Sequence, residues 1–192
     1  MKTMTFQFNS HPELEGRHAY LSASKYHWIR YDTAKMSDVF HGYFAAEQGT
    51  KLHDLAAHCV RMGQKLQKKK KTINMYVNDA VDMGMSAEVP LFYSKNFFGT
   101  ADAISFKNGE LRIYDFKSGA IPAHEEQLFV YAALFCLEYD VNPEDIQIEL
   151  RIYQSDEVSI INPDPAIIRE IMGKGVEFDA LIEQIKAEEA SA

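Results

Sequence analysis

The segment from Gly99 to Lys117 restricts the possible folds of this chain more than any other feature. The dipeptide Asn108-Gly109 lies inside it, and the residues on both sides alternate or run apolar, with many β-branched and aromatic side chains. Asn-Gly between two such runs is a strong local signal for a two-residue β-hairpin turn. We therefore expect two antiparallel strands, near 98–107 and 110–117.

Two aspartates and a lysine in this hairpin form a candidate metal site. Pairing of the strands is expected to bring Asp102 close to Asp115, and Lys117 leaves its strand on the same face as Asp115. Two carboxylates and an ammonium group that converge in this way suit metal-dependent hydrolysis of phosphodiesters. A solvated charged face is the alternative, although charges within an apolar strand are usually paired or metal-bound.

Two flanking helices add further candidate residues. The upstream helix carries Glu47 and His53, with Gly49 one turn before the histidine. The downstream helix presents Gln127 and Tyr131, which are four residues apart and therefore share one helical face. For each of these side chains, an ordinary surface or core role is the alternative interpretation.

The order of these residues resembles the PD-(D/E)XK nuclease superfamily, in its branch of RecB-type nuclease domains, Cas4-like exonucleases and phage relatives. The matching motifs are Gly49-x-x-x-His53, Gly99-x-x-Asp102, Asp115-Phe-Lys117 and Gln127-x-x-x-Tyr131. Each motif alone is common, whereas all four in this order are specific. The resemblance covers roughly residues 21–153. It implies an α/β fold with a restriction-endonuclease-like core, in which helices flank a central mixed β-sheet.

The resemblance also implies a metal site. Its ligands are expected to be His53, Asp102, Asp115 and the backbone carbonyl of Phe116. Carboxylates suit Mg²⁺ or Mn²⁺, and an imidazole ligand favours tolerance of Mn²⁺. We therefore expect activity with both ions and stronger activity with Mn²⁺.

The resemblance assigns the remaining matched side chains to catalysis. Lys117 is expected to position or deprotonate the attacking water and to stabilise the transition state. Gln127 and Tyr131 are expected to line the site and to hold the substrate strand or the lysine. Glu47 is expected to lie beside the ligands, as a supporting or additional carboxylate.

The cysteines and the hydropathy pattern restrict cofactors and location. Several members of this branch bind an iron–sulfur cluster through four cysteines, whereas this chain has only Cys59 and Cys136. No iron–sulfur cluster is therefore expected. The sequence lacks a run of about 18 apolar residues and an N-terminal apolar segment typical of signal peptides. We expect no membrane association and a location in the cytoplasm of a bacterium or a phage-infected cell.

The formal net charge of −8 conceals an asymmetry between the two halves of the chain. Residues 1–96 carry 13 Lys and Arg against 9 Asp and Glu, whereas residues 97–192 carry 7 against 19. The basic half is expected to contact the phosphate backbone of DNA in a salt-sensitive manner. A solvated helix end is the alternative. The candidate DNA-binding lysines are Lys51, Lys65, Lys68, Lys69, Lys70 and Lys71.

The remaining pattern is that of a single α/β domain over residues 1–192. The expected helices are 23–31, a second beginning near Ser37, 47–68, 75–84, 123–138 and 165–187. The expected strands are 1–8, 87–94, 98–107, 110–117, 146–154 and 157–161. The last helix is expected to turn an apolar stripe inward, formed by Ile168, Ile171, Phe178, Leu181, Ile182 and Ile185.

Three functions are consistent with these residues. The leading one is a metal-dependent DNA nuclease, most simply an exonuclease in recombination, repair or phage DNA processing. The second is a structure-specific or site-specific endonuclease. The third is a catalytically silent nucleic-acid-binding module, against which the intact set of candidate catalytic residues argues. The resemblance also suggests a helicase or a single-strand annealing protein as a partner.

Overall fold

The computed structural model describes residues 9–17 and 19–190. The chain divides into two compact units, Met1–Phe44 and Ala45–Ala192. The strand expected at 1–8 lies outside the described residues. The single domain expected over the whole chain stays a prediction.

Aromatic packing characterises the first unit. The ring of Tyr20 meets the rings of Phe40 and Tyr43 edge-on, with centroids 5.1 Å apart in both pairs. The helix expected at 23–31 is a 3-10 helix here. The helical elements that begin in this unit are two 3-10 helices, Pro12–Leu14 and Ala23–Arg30, and helix α1, Thr33–Arg61.

Helix α1 is continuous where the sequence predicted two successive helices. It also ends at Arg61, whereas the pattern predicted an end near Lys68. Gly63 adopts the left-handed conformation, with φ of +62°, and the backbone hydrogen bonds around it close the helix in a Schellman turn. The lysine run therefore lies in the connection after the helix, so the predicted basic helix end was wrong.

The second unit contains a five-stranded mixed sheet in the order β1-β2-β3-β4-β5. Strands β3 and β4 are parallel, and the other neighbours are antiparallel. This arrangement confirms the expected α/β core. The strands are β1 Ser86–Ser94, β2 Phe97–Lys107, β3 Glu110–Phe116, β4 Gln147–Gln154 and β5 Glu157–Ile161; the helices are α2 Thr72–Asp82, α3 Glu126–Glu138 and α4 Pro165–Glu189, with a 3-10 helix at Pro143–Asp145.

The sheet separates two hydrophobic cores. Leu111 and Ile113 of β3 pack in the core that contains α3 and the start of α4, whereas Tyr114 and Phe116 pack against α2 and the end of α1. Because both faces are covered, the end of β3 lies between two packed layers. This placement removes the charged residues at that strand end from bulk water.

The hairpin between β2 and β3 forms as the sequence predicted. Asn108 and Gly109 both have positive φ, +53° and +76°, and Lys107 faces Glu110 across the turn. Two successive left-handed residues are the requirement of a type I′ turn, which the pair Asn-Gly meets at low cost. The turn therefore fixes which residues of β2 and β3 lie opposite each other.

The inward stripe predicted for the last helix is correct only at its beginning. Ile168 is fully buried and Ile171 packs against the core, but four apolar side chains further along are 38–55% exposed. The reason is that Asp179 and Glu183 accept hydrogen bonds from Asn96 in the β1–β2 turn, so the polar side of α4 faces the protein. The four exposed side chains are Phe178, Leu181, Ile182 and Ile185.

Candidate active site

The hairpin register places the two motif aspartates side by side. Ala103 pairs with Tyr114, so Asp102 and Asp115 occupy the next opposed positions along the two strands. Asp102 Oδ2 accepts a hydrogen bond of 2.9 Å from the backbone N–H of Phe116. The two carboxylates therefore come together as the sequence predicted.

Helix α1 brings His53 to the same point, and a glycine permits its close approach. The Nδ1 atom of His53 lies 3.6 Å from Asp102 Oδ2, and its ring packs on Phe116 with centroids 4.9 Å apart. One turn earlier, a Cβ atom on Gly49 would lie only 2.7 Å from Ser118 Oγ. The Gly-x-x-x-His spacing thus lets the helix approach the end of β3 closely enough for the histidine to reach the aspartate.

Glu88 is a site residue that the sequence reasoning missed. One ligand atom from each of His53, Glu88 and Asp102 lies within 4.8 Å of the others. Glu88 belongs to β1 and is the residue opposite Asp102 in the β1–β2 register. In the sequence, Glu88 is visible as a carboxylate within a largely apolar predicted strand. This feature indicates a site only when the pairing of β1 with β2 is known.

The backbone around Glu88 is unusual for a strand. Glu88 has a φ of +53°, in the left-handed region that few residues other than glycine adopt. Ala87 and Ala103 pack in the core against α2, whereas Val89 and Ala101 pack in the core against α3. Residues two apart in a regular strand share a face, so the alternation is interrupted at this point. The interruption directs a carboxylate toward the site.

A chain of hydrogen bonds leads from Asp115 to α3. Lys117 Nζ lies 3.1 Å and 3.0 Å from the two carboxylate oxygens of Asp115, and it donates to Gln127 Oε1 at 2.9 Å. Gln127 Nε2 in turn donates to the hydroxyl of Tyr131 at 2.9 Å. A Cβ atom on Gly99 would lie 2.9 Å from the ring of Tyr131, so this glycine makes room for the end of the chain.

Burial shifts the protonation of the site. It raises the pKa of Asp102 to about 6, with a further contribution from the nearby charge of Asp115, against the lowering effect of the Phe116 N–H. Burial also raises the pKa of Asp115, although the ammonium group of Lys117 opposes this shift. The pKa of the Tyr131 hydroxyl is raised by burial as well. Two adjacent carboxylates are therefore costly to ionise without a cation.

The donor set fits a divalent cation. His53, Glu88 and Asp102 offer one nitrogen and two carboxylate oxygens in a cluster, in which the oxygens suit Mg²⁺ or Mn²⁺ and the nitrogen favours Mn²⁺. Asp115 is 3% exposed in its side chain, and among the described residues its Oδ2 atom receives no hydrogen bond of good geometry. A buried carboxylate oxygen with spare capacity beside this cluster is consistent with an additional ligand.

Glu47 does not join this cluster. It pairs with Lys51 one turn along α1, with 2.8 Å between Nζ and Oε1, and its side chain is 47% exposed. The clustered groups therefore include Glu88 as a second carboxylate and do not include Glu47, whose expected supporting role stays a prediction. The same contact pairs Lys51, one of the candidate DNA-binding lysines, with a carboxylate.

The other candidate lysines fall into two groups. Lys65 forms an ion pair with Asp82, and Lys71 forms one with Asp156. Paired lysines contribute less to an attractive field for phosphates than free ones. The exposed members between them, in the connection from α1 to α2, are Lys68, Lys69 and Lys70.

Among the comparisons with known proteins, the match to a family model agrees with this geometry. No curated protein and no solved structure matches the chain. No helix within residues 9–17 and 19–190 is long and apolar enough to cross a membrane. A family model described as the PD-(D/E)XK nuclease superfamily matches residues 32–192. Because that match spans most of the chain, the protein belongs to the PD-(D/E)XK nuclease superfamily.

Proposed function

We propose that this protein is a divalent-metal-dependent DNA nuclease, and that it acts as an exonuclease in recombination, repair or phage DNA processing. The observation that carries this proposal is the cluster of His53, Glu88 and Asp102 beside the pair of Asp115 and Lys117. The motif order also supports placement in the RecB/Cas4-like branch, as does the hydrogen bond from Lys117 to Gln127.

The proposed cation is Mg²⁺ or Mn²⁺. It would be held by His53, Asp102 and Asp115, by the backbone carbonyl of Phe116 and by Glu88. A divalent ion supplies charge neutralisation for the phosphate and makes water a stronger nucleophile near neutral pH. The nitrogen ligand in this set supports the expectation of stronger activity with Mn²⁺.

Lys117 is proposed to orient the attacking water and to stabilise the negative charge that develops on the phosphate. Gln127 accepts a hydrogen bond from the lysine Nζ, which restricts the ammonium group to the side of the site that faces Asp115. Tyr131 holds the Gln127 amide in the orientation that leaves its oxygen toward the lysine. Together these contacts position the ammonium group of Lys117 for the transition state.

The proposal is tested with end-labelled linear, closed circular and single-stranded DNA in Mn²⁺, Mg²⁺ and EDTA. We expect metal-dependent loss of linear or single-stranded DNA, and a loss of at least about 100-fold in rate for Lys117→Ala. The matched control is Lys95→Ala, which removes an exposed lysine from the β1–β2 turn and should keep its activity. Equal activity of the two variants would place catalysis elsewhere.

The same assay separates the alternatives. Cutting of the closed circle would indicate an endonuclease. DNA binding without cleavage of any substrate would indicate a silent binding module or a need for a partner, such as the helicase or annealing protein that the resemblance suggests. RNA of the same sequence, tested alongside, would show whether the proposed DNA preference holds.

A further inference from the structure

A cleft extends from Lys117 away from the groups assigned to the chemistry above. Its volume is about 410 Å³, within the range of small-ligand sites, and it begins at Lys117. Leu52 of α1 and Ile73 of α2 form its apolar walls, and Ser118 and Gly119 form its edge next to the active site. The cleft is therefore the space next to any phosphate that is bound at the candidate active site.

At the end of this cleft away from Lys117, the charged groups already pair with each other. Asp156 accepts hydrogen bonds from the backbone N–H of Thr72 at 2.9 Å and from its hydroxyl at 3.0 Å, and it accepts another from Lys71 Nζ at 2.7 Å. The donors that an anion needs at the start of α2 are thus already occupied, and by a carboxylate. A second phosphate is disfavoured here, whereas a neutral group with polar edges is not.

We propose that this cleft binds the base and sugar of one unpaired nucleotide adjacent to the scissile phosphate. A base has apolar faces that suit Leu52 and Ile73, and polar edges that suit hydroxyl and amide groups. A base within a duplex is stacked and paired and has to leave the helix to enter a cleft. The substrate at this point is therefore single-stranded. This inference rests on the proposed function, because it presumes that a phosphodiester occupies the active site.

The exposed lysines continue the path of such a strand. Lys71 lines the cleft, and the segment before it carries the three exposed lysines of the connection between α1 and α2. A strand that leaves the active site through the cleft passes this positive segment. The route supplies phosphate contacts outside the cleft and base contacts within it.

The test measures binding of a short fluorescein-labelled single strand in EDTA, so that cleavage plays no part. Single abasic residues are introduced at successive positions of the strand. We expect one position at which loss of the base weakens binding about 5- to 10-fold, since base contacts of this kind contribute that much. Ala120→Ile fills the cleft, and it should abolish the difference at that position. The same change at Ala166, an exposed residue at the start of α4, should preserve the difference.

The outcomes separate this inference from the proposed function. No sensitive position, or a sensitivity that persists in Ala120→Ile, would overturn the inference even if the protein cleaves DNA. Displacement of the strand by inorganic phosphate, without sensitivity to abasic residues, would also overturn it and indicate an anion site. If Ala120→Ile lowers Tm strongly, Leu52→Ala is used in its place. That variant widens the cleft and should reduce the sensitivity of binding to the abasic residue. Absence of metal-dependent cleavage, with the sensitive position retained, would count against the stand-alone nuclease of the proposed function and leave this inference in place.

Discussion

Replacing Asp102 with asparagine should stabilise the metal-free protein. The aspartate is partly buried beside Asp115, and its pKa is raised from 3.8 to about 6. Asparagine has nearly the same shape, carries no charge and keeps an oxygen that can accept the Phe116 N–H. The substitution therefore removes the cost of a buried charge and preserves the hydrogen bond at 2.9 Å.

The pKa shift gives the size and the pH dependence of the effect. A shift of about two units corresponds to about 3 kcal/mol, and sharing of the charge with Asp115 reduces this to about 1–3 kcal/mol. Since the folded state binds this proton more tightly than the unfolded chain, the penalty is fully present above about pH 6 and fades as the pH falls toward 4. Asp102→Asn should thus raise Tm by about 3–9 °C at pH 8 and by clearly less near pH 4.5.

Thermal unfolding followed by circular dichroism in EDTA measures this effect at both pH values. Asp54→Asn, on the exposed side of α1, is the control for loss of one negative charge. Added Mn²⁺ should reverse the order at pH 8, because the wild type binds the ion more tightly than the variant and gains more stability. A variant less stable than the wild type at pH 8 without metal, or an advantage that does not shrink on acidification, would refute the reasoning.

Three further predictions concern the surroundings of the site. Gly99→Ala should lower the cleavage rate about 10-fold and the free energy of unfolding by about 1–3 kcal/mol, because the new methyl group displaces the Tyr131 ring. Single-turnover kinetics and calorimetry measure the two effects, and unchanged kinetics would contradict the prediction. Glu88→Gln should weaken Mn²⁺ binding about 10-fold in isothermal titration, and an unaltered affinity would exclude Glu88 as a ligand. Replacing all three of Lys68, Lys69 and Lys70 with glutamine should reduce the slope of log binding constant against log salt by about 2 to 3; an unchanged slope would leave the run a solvated face.

The sequence predicts most of the site because short-range geometry determines it. The turn at Asn108 sets the register of the hairpin, and that register alone brings Asp102 and Asp115 together. Helical spacing does the same for Gln127 and Tyr131, whose side chains bond to each other across one turn. In each case the two partners are related by a local rule, so no knowledge of the tertiary fold is needed.

The predictions that failed depend on tertiary contacts. Glu88 joins the cluster through an irregular strand position that the sequence pattern does not show. The apolar stripe of α4 has a helical period, but the period alone does not determine which side of the helix packs against the rest of the protein. There, hydrogen bonds from the β1–β2 turn to Asp179 decide the orientation.

The left-handed conformation of Glu88 bears on how this chain would change if its activity were no longer needed. A left-handed backbone costs a non-glycine residue roughly 1–2 kcal/mol, which glycine or asparagine at the same position would largely avoid. Under neutral drift, this strand position is therefore one of the first where substitution improves folding at no other cost. A glutamate at this position therefore carries a folding cost that glycine would avoid, and a metal ion bound by its carboxylate would offset that cost only in the loaded protein.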